Sequence, residues 1–135
     1  MERDAAFLTV VLIADDNDDH YLPMEEILLQ EGYVVEHVRS SEDAIVRCAA
    51  PPPVHIALVD ASLPGKSGHL LTQQPRPANH PPLTFVLMSG FSMAAVSLAL
   101  AWGCKEFLSK PVGRDELLAV VKKWRYAGIE TQTGI

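Results

Sequence analysis

Four apolar runs, far apart in the chain, each stop at a polar residue able to do chemistry. Val10-Val11-Leu12-Ile13-Ala14 leads into Asp15-Asp16, and His55-Ile56-Ala57-Leu58-Val59 leads into Asp60. Phe85-Val86-Leu87-Met88 leads into Ser89, and Phe107-Leu108 leads through Ser109 into Lys110-Pro111. Continuous apolar runs of this kind read as strands buried on both faces. A parallel sheet gathers the carboxyl ends of its strands along one edge. If the four runs are neighbouring strands, three carboxylates, a hydroxyl and an ammonium converge on one small site. That set suits a divalent metal and a phosphoryl group.

The segments between the runs read as helices. Asp18 to Glu31 has Tyr21, Met24 (or Glu25), Leu28 and Leu29 sharing roughly one face, Pro23 tolerable in its first turn and Gly32 as a stop. Tyr33 to Val38 alternates and reads as a more exposed strand. Ser40 or Ser41 caps a helix over Glu42 to Ala50, which Pro51-Pro52-Pro53 ends. After the loop Ala61 to Gly68 a third helix begins, but Pro75 and Pro77 cut it short, and Gln73 to Pro82 reads as an irregular surface loop. Ser92 to Trp102 is a helix closed by Gly103, and Arg114 to Trp124 is the last helix, with Leu117, Val121 and Trp124 on one stripe. Tyr126 to Ile135 reads as a tail. Five strands alternating with five helices imply an open α/β sheet covered on both faces.

Composition narrows the function. The 135 residues make one ordinary domain, and 48% apolar content fits a globular one. A net charge of −6 argues against direct nucleic-acid binding, which needs a basic footprint, and against an anionic membrane surface. Cys48 and Cys104 form no CxxC and no metal spacing with a histidine, so they read as reduced, buried thiols suited to a cytoplasmic setting. Met1-Glu2-Arg3-Asp4 is too charged for a signal peptide. Pro77 to Gly103 carries no Asp, Glu, Lys or Arg, but Ser89-Gly90 breaks it into a buried strand, a turn and an apolar helix rather than a membrane span. The histidines His20, His37, His55, His69 and His80 are scattered, none at metal spacing with another.

Mg²⁺ prefers oxygen ligands in an octahedron and keeps several waters. Asp15, Asp16 and Asp60 could supply carboxylates directly or through water. Three close carboxylates repel, so their convergence calls for a cation. A carboxylate can act as nucleophile and form an acyl phosphate, a reaction that depends on positioning and charge stabilisation. Lys110 offers a point charge to phosphate oxygens and Ser89 a hydroxyl. Each element alone is weak: an Asp-Asp pair is usually a solvated turn, and Asp60 before Leu63-Pro64-Gly65 could be a plain Asx-turn. Their joint order and spacing carry the signal.

From Leu8 to about Trp124 the chain resembles the receiver domain of two-component response regulators, in the manner of the chemotaxis regulators. The matching pieces are Leu12-Ile13-Ala14-Asp15-Asp16, then Asp60-Ala61-Ser62-Leu63-Pro64-Gly65-Lys66-Ser67-Gly68, then Ser89 and Phe107-Leu108-Ser109-Lys110-Pro111. The resemblance implies a flavodoxin-like, doubly wound, five-stranded parallel sheet in the order 2-1-3-4-5, with five helices and the third shortened. It implies a receiver domain over residues 1–126 and a C-terminal tail over 127–135. Asp60 would be the phosphoacceptor, receiving its phosphoryl group from a histidine kinase or a histidine phosphotransfer protein. Asp16 would bind Mg²⁺ directly, Asp15 mostly through water, and the backbone carbonyl of Ser62 would be a further ligand. Lys110 would pair with Asp60 at rest and with phosphate afterwards, Ser89 would bond the phosphoryl group, and Phe107 would be the switch aromatic. The Lys110-Pro111 bond is often cis in such domains. The fourth helix, last strand and last helix would form the switching surface, with an output protein or a second copy as further partner.

The chain departs from the family pattern at two places. Gly90-Phe91 follow Ser89 where many receivers carry a small residue, and Phe91 would shield the phosphoryl group and slow its hydrolysis. The prolines at 75, 77, 81 and 82 curtail the third helix. The uncharged fourth helix is either deeply buried or presents an outer face, at Leu98 or Trp102, to a partner. The rival functions are a pseudo-receiver that binds partners without phosphate, and a hydrolase with an aspartyl-phosphate intermediate. The hydrolase would place a second Asp where Ser62 stands. The expectation is a domain that assists only its own phosphorylation and dephosphorylation. No output module fits after Trp124, so the chain is a single-domain regulator or part of a longer protein.

Overall fold

The computed structural model describes residues 9–63, 68–90 and 92–133, with no side chain described at 68–69 or 126–133. Within these, five strands, β1 (Val10–Ala14), β2 (Val34–Val38), β3 (Ile56–Asp60), β4 (Thr84–Ser89) and β5 (Glu106–Ser109), form one parallel sheet in the order β2-β1-β3-β4-β5. The helices are α1 (Asp18–Gln30), α2 (Ser41–Cys48), α3 (Gly68–Thr72), α4 (Met93–Trp102) and α5 (Arg114–Thr133). This is the flavodoxin-like order expected from the sequence, with a third helix of five residues.

Each central strand is sealed on both sides. Val11 and Ile13, Ile56 and Leu58, and Val86 and Met88 face Met24 and Leu28 of α1 and Leu117 and Val121 of α5. The alternate residues Leu12, Ala14, Ala57 and Val59 face Ala44 and Cys48 of α2 and Leu71 of α3. Every residue of β1 and β3 is buried, which is why these runs carry no polar residue before Asp60. Chain order reverses at β1, whose neighbours are β2 and β3, so the crevice beyond the carboxyl ends of β1 and β3 is the topological switch point.

Local chemistry sets the helix ends. Asn17 caps α1 by accepting from the Asp19 N–H at 2.9 Å, Ser40 caps α2 through Asp43, and Ser92 caps α4 through Ala95. At the far end of α1 the Tyr33 N–H reaches the Leu28 carbonyl and the Gly32 N–H the Leu29 carbonyl, with Gly32 at φ 89°. Gly103, at φ 77°, closes α4 with the same double pattern onto Leu100 and Ala99.

Several expectations shift. Leu29 is exposed, because one residue of helix turns about 100° past the buried Leu28. In α4 only Ala95 and Ala99 are buried, and the outward residues are Met93 and Leu100, at 71% and 74% exposure, rather than the half-buried Leu98 and Trp102. The last helix runs to Thr133, past the expected end at Trp124. A glycine such as Gly128 costs only about 1 kcal/mol against alanine. An existing helix gains a hydrogen bond with each added residue, so it can pass through such a position. Among the described residues no helix is long and apolar enough to cross a membrane. Cys48 and Cys104 are free, the first buried and the second half-buried, and burial pushes both thiols up to about 11.

The segment after α3 is irregular, as expected, but it is anchored. Arg76 donates from Nε and Nη2 to the Pro81 carbonyl, from Nη2 to Val54 and from Nη1 to Cys48, at 2.7–3.2 Å. Cys48 is the last residue of α2, so the guanidinium satisfies a carbonyl that the helix end leaves open and complements its dipole. Between the two ends of this clasp Pro77 to His80 makes a turn, with Asn79 in the left-handed region at φ 71°.

Two stability predictions follow from this edge of the sheet. Arg76→Met strands carbonyls of α2 and of the approach to β3. It is expected to cost about 2–3 kcal/mol, read as a lower urea midpoint with an unchanged slope. His55 accepts the Val10 N–H at Nδ1 (3.0 Å), and burial, with the nearby Arg76 charge, holds its imidazole below the ordinary value of 6.5. The unfolded chain therefore takes up this proton first as pH falls. The histidine's contribution is complete above about 6.5 and declines below it toward the depressed native value. Comparing His55→Asn, which keeps an acceptor but does not titrate, with the wild type in urea at pH 7.5 and 5 should remove this part of the pH dependence.

Candidate functional site

Strand ends deliver the polar residues. Asp15 and Asp16 follow β1, Asp60 ends β3, Ser89 ends β4 and Lys110 follows β5. The ladder sets their level: Ala14 pairs with Val59, Asp60 with Met88, and Ser89 with Ser109. Ladder-like bonds continue past the strands, from the Asp15 N–H to Val38 (3.1 Å), Ala61 N–H to Met88 (2.8 Å) and Lys110 N–H to Ser89 (2.8 Å). The loops therefore leave the sheet in register.

Asp15, Asp16 and Asp60 bring one carboxylate oxygen each within 4.8 Å of one another. Asp15 is fully buried, Asp60 is 4% exposed and Asp16 is open to solvent. Asp60 is held at both oxygens. Oδ1 accepts from the Ser62 N–H and the Ser62 Oγ–H, each at 2.9 Å, and Oδ2 accepts from the Lys110 ammonium at 2.9 Å. Lys110 also lies 3.9 Å from Asp15 Oδ2. Burial pushes the Asp60 carboxyl up, but the Lys110 bond and charge together with the two Ser62 donors outweigh it, and the group sits below its usual range. Asp60 is therefore a buried carboxylate kept ionised, the form a nucleophile needs.

Asp15 is pinned three ways. Its Oδ1 accepts from the Asn17 N–H at 2.9 Å, its Oδ2 from His20 Nδ1–H, and its carbonyl from His37 Nε2–H at 2.7 Å. Tyr21 stacks on His37, with ring centroids 3.4 Å apart. Arg39 donates to the Asp16 carbonyl at 3.3 Å and pairs with Asp18.

The sequence-derived set is thus largely assembled. Asp15, Asp16, Asp60 and Lys110 meet directly, and Ser89 joins them through its main-chain bond to Lys110. The Asx-turn reading of Asp60 is also correct, since the Ser62 N–H closes it. Ser62 bonds the carboxylate by its side chain as well, which the sequence did not indicate. Phe107 stands apart, half-buried on β5 opposite Leu87, and lines a groove with Val96, Ala99 and Leu100. The Lys110–Pro111 peptide is cis. Phe91 and the motif segment 64–67 lie outside the described residues, and with Phe91 goes the shielding expectation. His20 and His37 also reach Asp15, although they share no metal spacing in sequence. The one signal in the sequence is that His20 follows Asp15 by five residues, in the opening turn of α1; His37 comes beside the acidic pair only once β2 pairs with β1.

The donor set fits a hard divalent cation. Oxygen atoms of three carboxylates face one another, with one ammonium to offset them, and oxygen donors with spare negative charge are what Mg²⁺ prefers.

Comparison with known proteins agrees with this geometry. Residues 11–122 match the family model of the response regulator receiver domain. The sensor histidine kinase GacS of Pseudomonas protegens is 28% identical over 127 residues, covering 90% of this chain but 14% of that protein. The signal receiver domain of a signal transduction histidine kinase from Syntrophus aciditrophicus is 26% identical and superposes with a TM-score of 0.73, covering 88% of this chain and 91% of that one. The receiver domain of Saccharomyces cerevisiae Ssk1, solved with the histidine phosphotransfer protein Ypd1, is 22% identical with a TM-score of 0.71 over 92% and 91% of the two chains, a likeness of fold.

Replacing Lys110 by Met removes the ammonium while keeping the length of the side chain. The Asp60 carboxyl should then titrate at higher pH than in the wild type, read by ¹³C NMR of labelled aspartate, with Asp60→Asn assigning the signal. An unmoved titration would show that Ser62 alone holds the carboxylate.

Proposed function

The chain belongs to the family of response regulator receiver domains, and from that premise we propose that it accepts a phosphoryl group on Asp60 from a phosphohistidine donor, with Mg²⁺ as cofactor. The observation that carries this reading is the convergence of Asp15, Asp16 and Asp60 within 4.8 Å beside Lys110, at the switch point of the sheet. An Asp60 oxygen forms the new bond to phosphorus as the phosphorus–nitrogen bond of the donor breaks. The donor imidazole leaves with the electron pair and takes up a proton from solvent. When bound, Mg²⁺ supplies positive charge to the phosphoryl oxygens. Asp16 would hold it directly, Asp15 mostly through water, and the Ser62 carbonyl would complete the protein's share.

The remaining steps belong to the chain itself. Ser62 fixes the Asp60 carboxylate from one side, leaving the Lys110 ammonium to follow negative charge onto the phosphoryl group. Ser89 donates its hydroxyl to a phosphoryl oxygen. The loop after β4 moves with it, Phe107 changes rotamer, and the surface formed by α4, β5 and α5 switches. The exposed Met93 and Leu100 place apolar area on that surface, where an output protein or a second copy would dock.

The donor is a histidine kinase or a histidine phosphotransfer protein, a partner class supported by the Ssk1 receiver solved with Ypd1. The chain spans a small part of GacS, so service as one module of a longer sensor protein and service as a separate regulator both fit the reading. The receiver unit is proposed over residues 1–126, with 127–135 as a C-terminal extension whose part up to Thr133 continues α5. The work is cytoplasmic, without direct contact to nucleic acid or membrane, and the chemistry is confined to the protein's own aspartyl phosphate.

Incubation with acetyl phosphate and Mg²⁺ should retard the wild type on a phosphate-affinity gel. Asp60→Ala should show no retarded band, and EDTA should abolish the wild-type band. Equal labelling of wild type and Asp60→Ala would overturn the assignment. An unlabelled wild type would favour the phosphate-independent interaction module.

A further inference from the structure

We propose that His20 is a positioning residue of the divalent-cation site, holding the carboxylate of Asp15 through its ring Nδ1. The inference rests on the reading that Asp15, Asp16 and Asp60 bind a divalent cation.

Asp15 is fully buried, and each of its side-chain oxygens has a protein donor: the Asn17 N–H on Oδ1 at 2.9 Å, and His20 Nδ1–H on Oδ2. A carboxylate oxygen accepts about two hydrogen bonds. One acceptor site per oxygen is left for a cation or its water, and the carboxylate plane cannot turn without breaking a bond. The main chain of the same residue is held by His37, whose ring is stacked on Tyr21, the neighbour of His20 in sequence. Two histidines from α1 and β2 thus grip the side chain and the carbonyl of one aspartate.

The bland account is that His20 only fills space beneath the loop. Its other ring nitrogen argues otherwise. Nε2 is buried and has no hydrogen-bond partner among the described residues. An unpaired buried nitrogen is unfavourable. An apolar side chain would fill the same space without that cost, so the ring is explained by what Nδ1 does. Groups that orient a metal-binding carboxylate from behind typically change metal affinity by about 10- to 100-fold when removed.

The test uses Mn²⁺ as an EPR-visible probe, titrated into the full chain while the free-ion signal is followed. Asn at position 20 presents an amide N–H close to where Nδ1–H stands, whereas Phe and Leu retain bulk and lose the donor. His20→Phe and His20→Leu should bind Mn²⁺ about tenfold or more weakly, and His20→Asn should stay near the wild type. Thermal melts in EDTA separate folding from binding: the apolar variants leave a buried Asp15 oxygen without its donor and should melt below the wild type, yet stay folded at the temperature of the titration while binding worse. Space-filling alone predicts the reverse ranking, with Asn the damaged variant. Wild-type affinity in a folded His20→Phe or His20→Leu overturns the proposal, and so does His20→Asn binding as poorly as His20→Phe. Should the wild type itself fail to bind Mn²⁺, or bind it no better than Asp16→Ala, the cation-site reading fails and this inference with it.

Discussion

Electrostatic crowding at the carboxyl edge of the sheet is the constraint around which the molecule is organised. Asp15 and Asp60 are both buried, and their oxygens lie within 4.8 Å. At the effective dielectric suited to such sites, two charges at that distance repel by roughly 3 kcal/mol. Backbone and side-chain donors from Asn17, His20 and Ser62 spread that charge, and Lys110, arriving from the far side of β4, opposes it. None of these donors could be aimed without a rigid frame. The frame is the uncharged interior of β1 and β3, whose residues pack on helices at both faces. Apolar burial thus sets the geometry, and hydrogen bonding makes the resulting charge density tolerable.

Much of this was legible because burial on two faces and chemistry at one edge leave separate marks in a sequence. Four of the five strands, and Asp15, Asp16 and Lys110 beside Asp60, follow from apolar runs and where they stop, while β2 follows from its alternation. The stops at Gly32 and Gly103 were equally readable, since both helices close through a left-handed glycine. Contacts made across the fold were harder to see. His20 and His37 look unrelated until β2 is laid beside β1, and Arg76 looks like a solvated loop cation until its carbonyl partners come close. The end of α5 is hidden in the sequence because glycine and threonine suggest a tail, whereas a helix already nucleated continues through them at little cost.

The two faces of the sheet are held unequally. Large side chains from α1 and α5 interlock with the strands, but α4 buries only Ala95 and Ala99. Small residues bring a helix close while contributing little apolar area. The placement of α4 therefore leans on its caps at Ser92 and Gly103, next to the Ser89 loop and the Phe107 groove. Segments with few buried contacts occupy the low end of a protein's local stability, and it is from these that moving parts are drawn. The helix proposed to switch is thus held by two small buried residues and the half-buried Val96, Leu98 and Trp102 rather than by large, fully buried side chains.

Arg76 carries a different kind of consequence. One side chain fastens both limbs of a proline-rich excursion to α2 and to the approach of β3, so anchoring is concentrated rather than shared along the loop. The turn from Pro77 to His80 then only has to span the gap, and the entropy of closing a loop grows slowly with its length. The turn can lengthen, and its exposed residues be exchanged within what the left-handed Asn79 and the half-buried His80 allow, provided the arginine and its carbonyl receptors stay. Since this edge is the opposite end of β3 from Asp60, the excursion is a natural insertion point: a fluorophore or an epitope spliced into the turn would travel with the domain while leaving its chemistry alone.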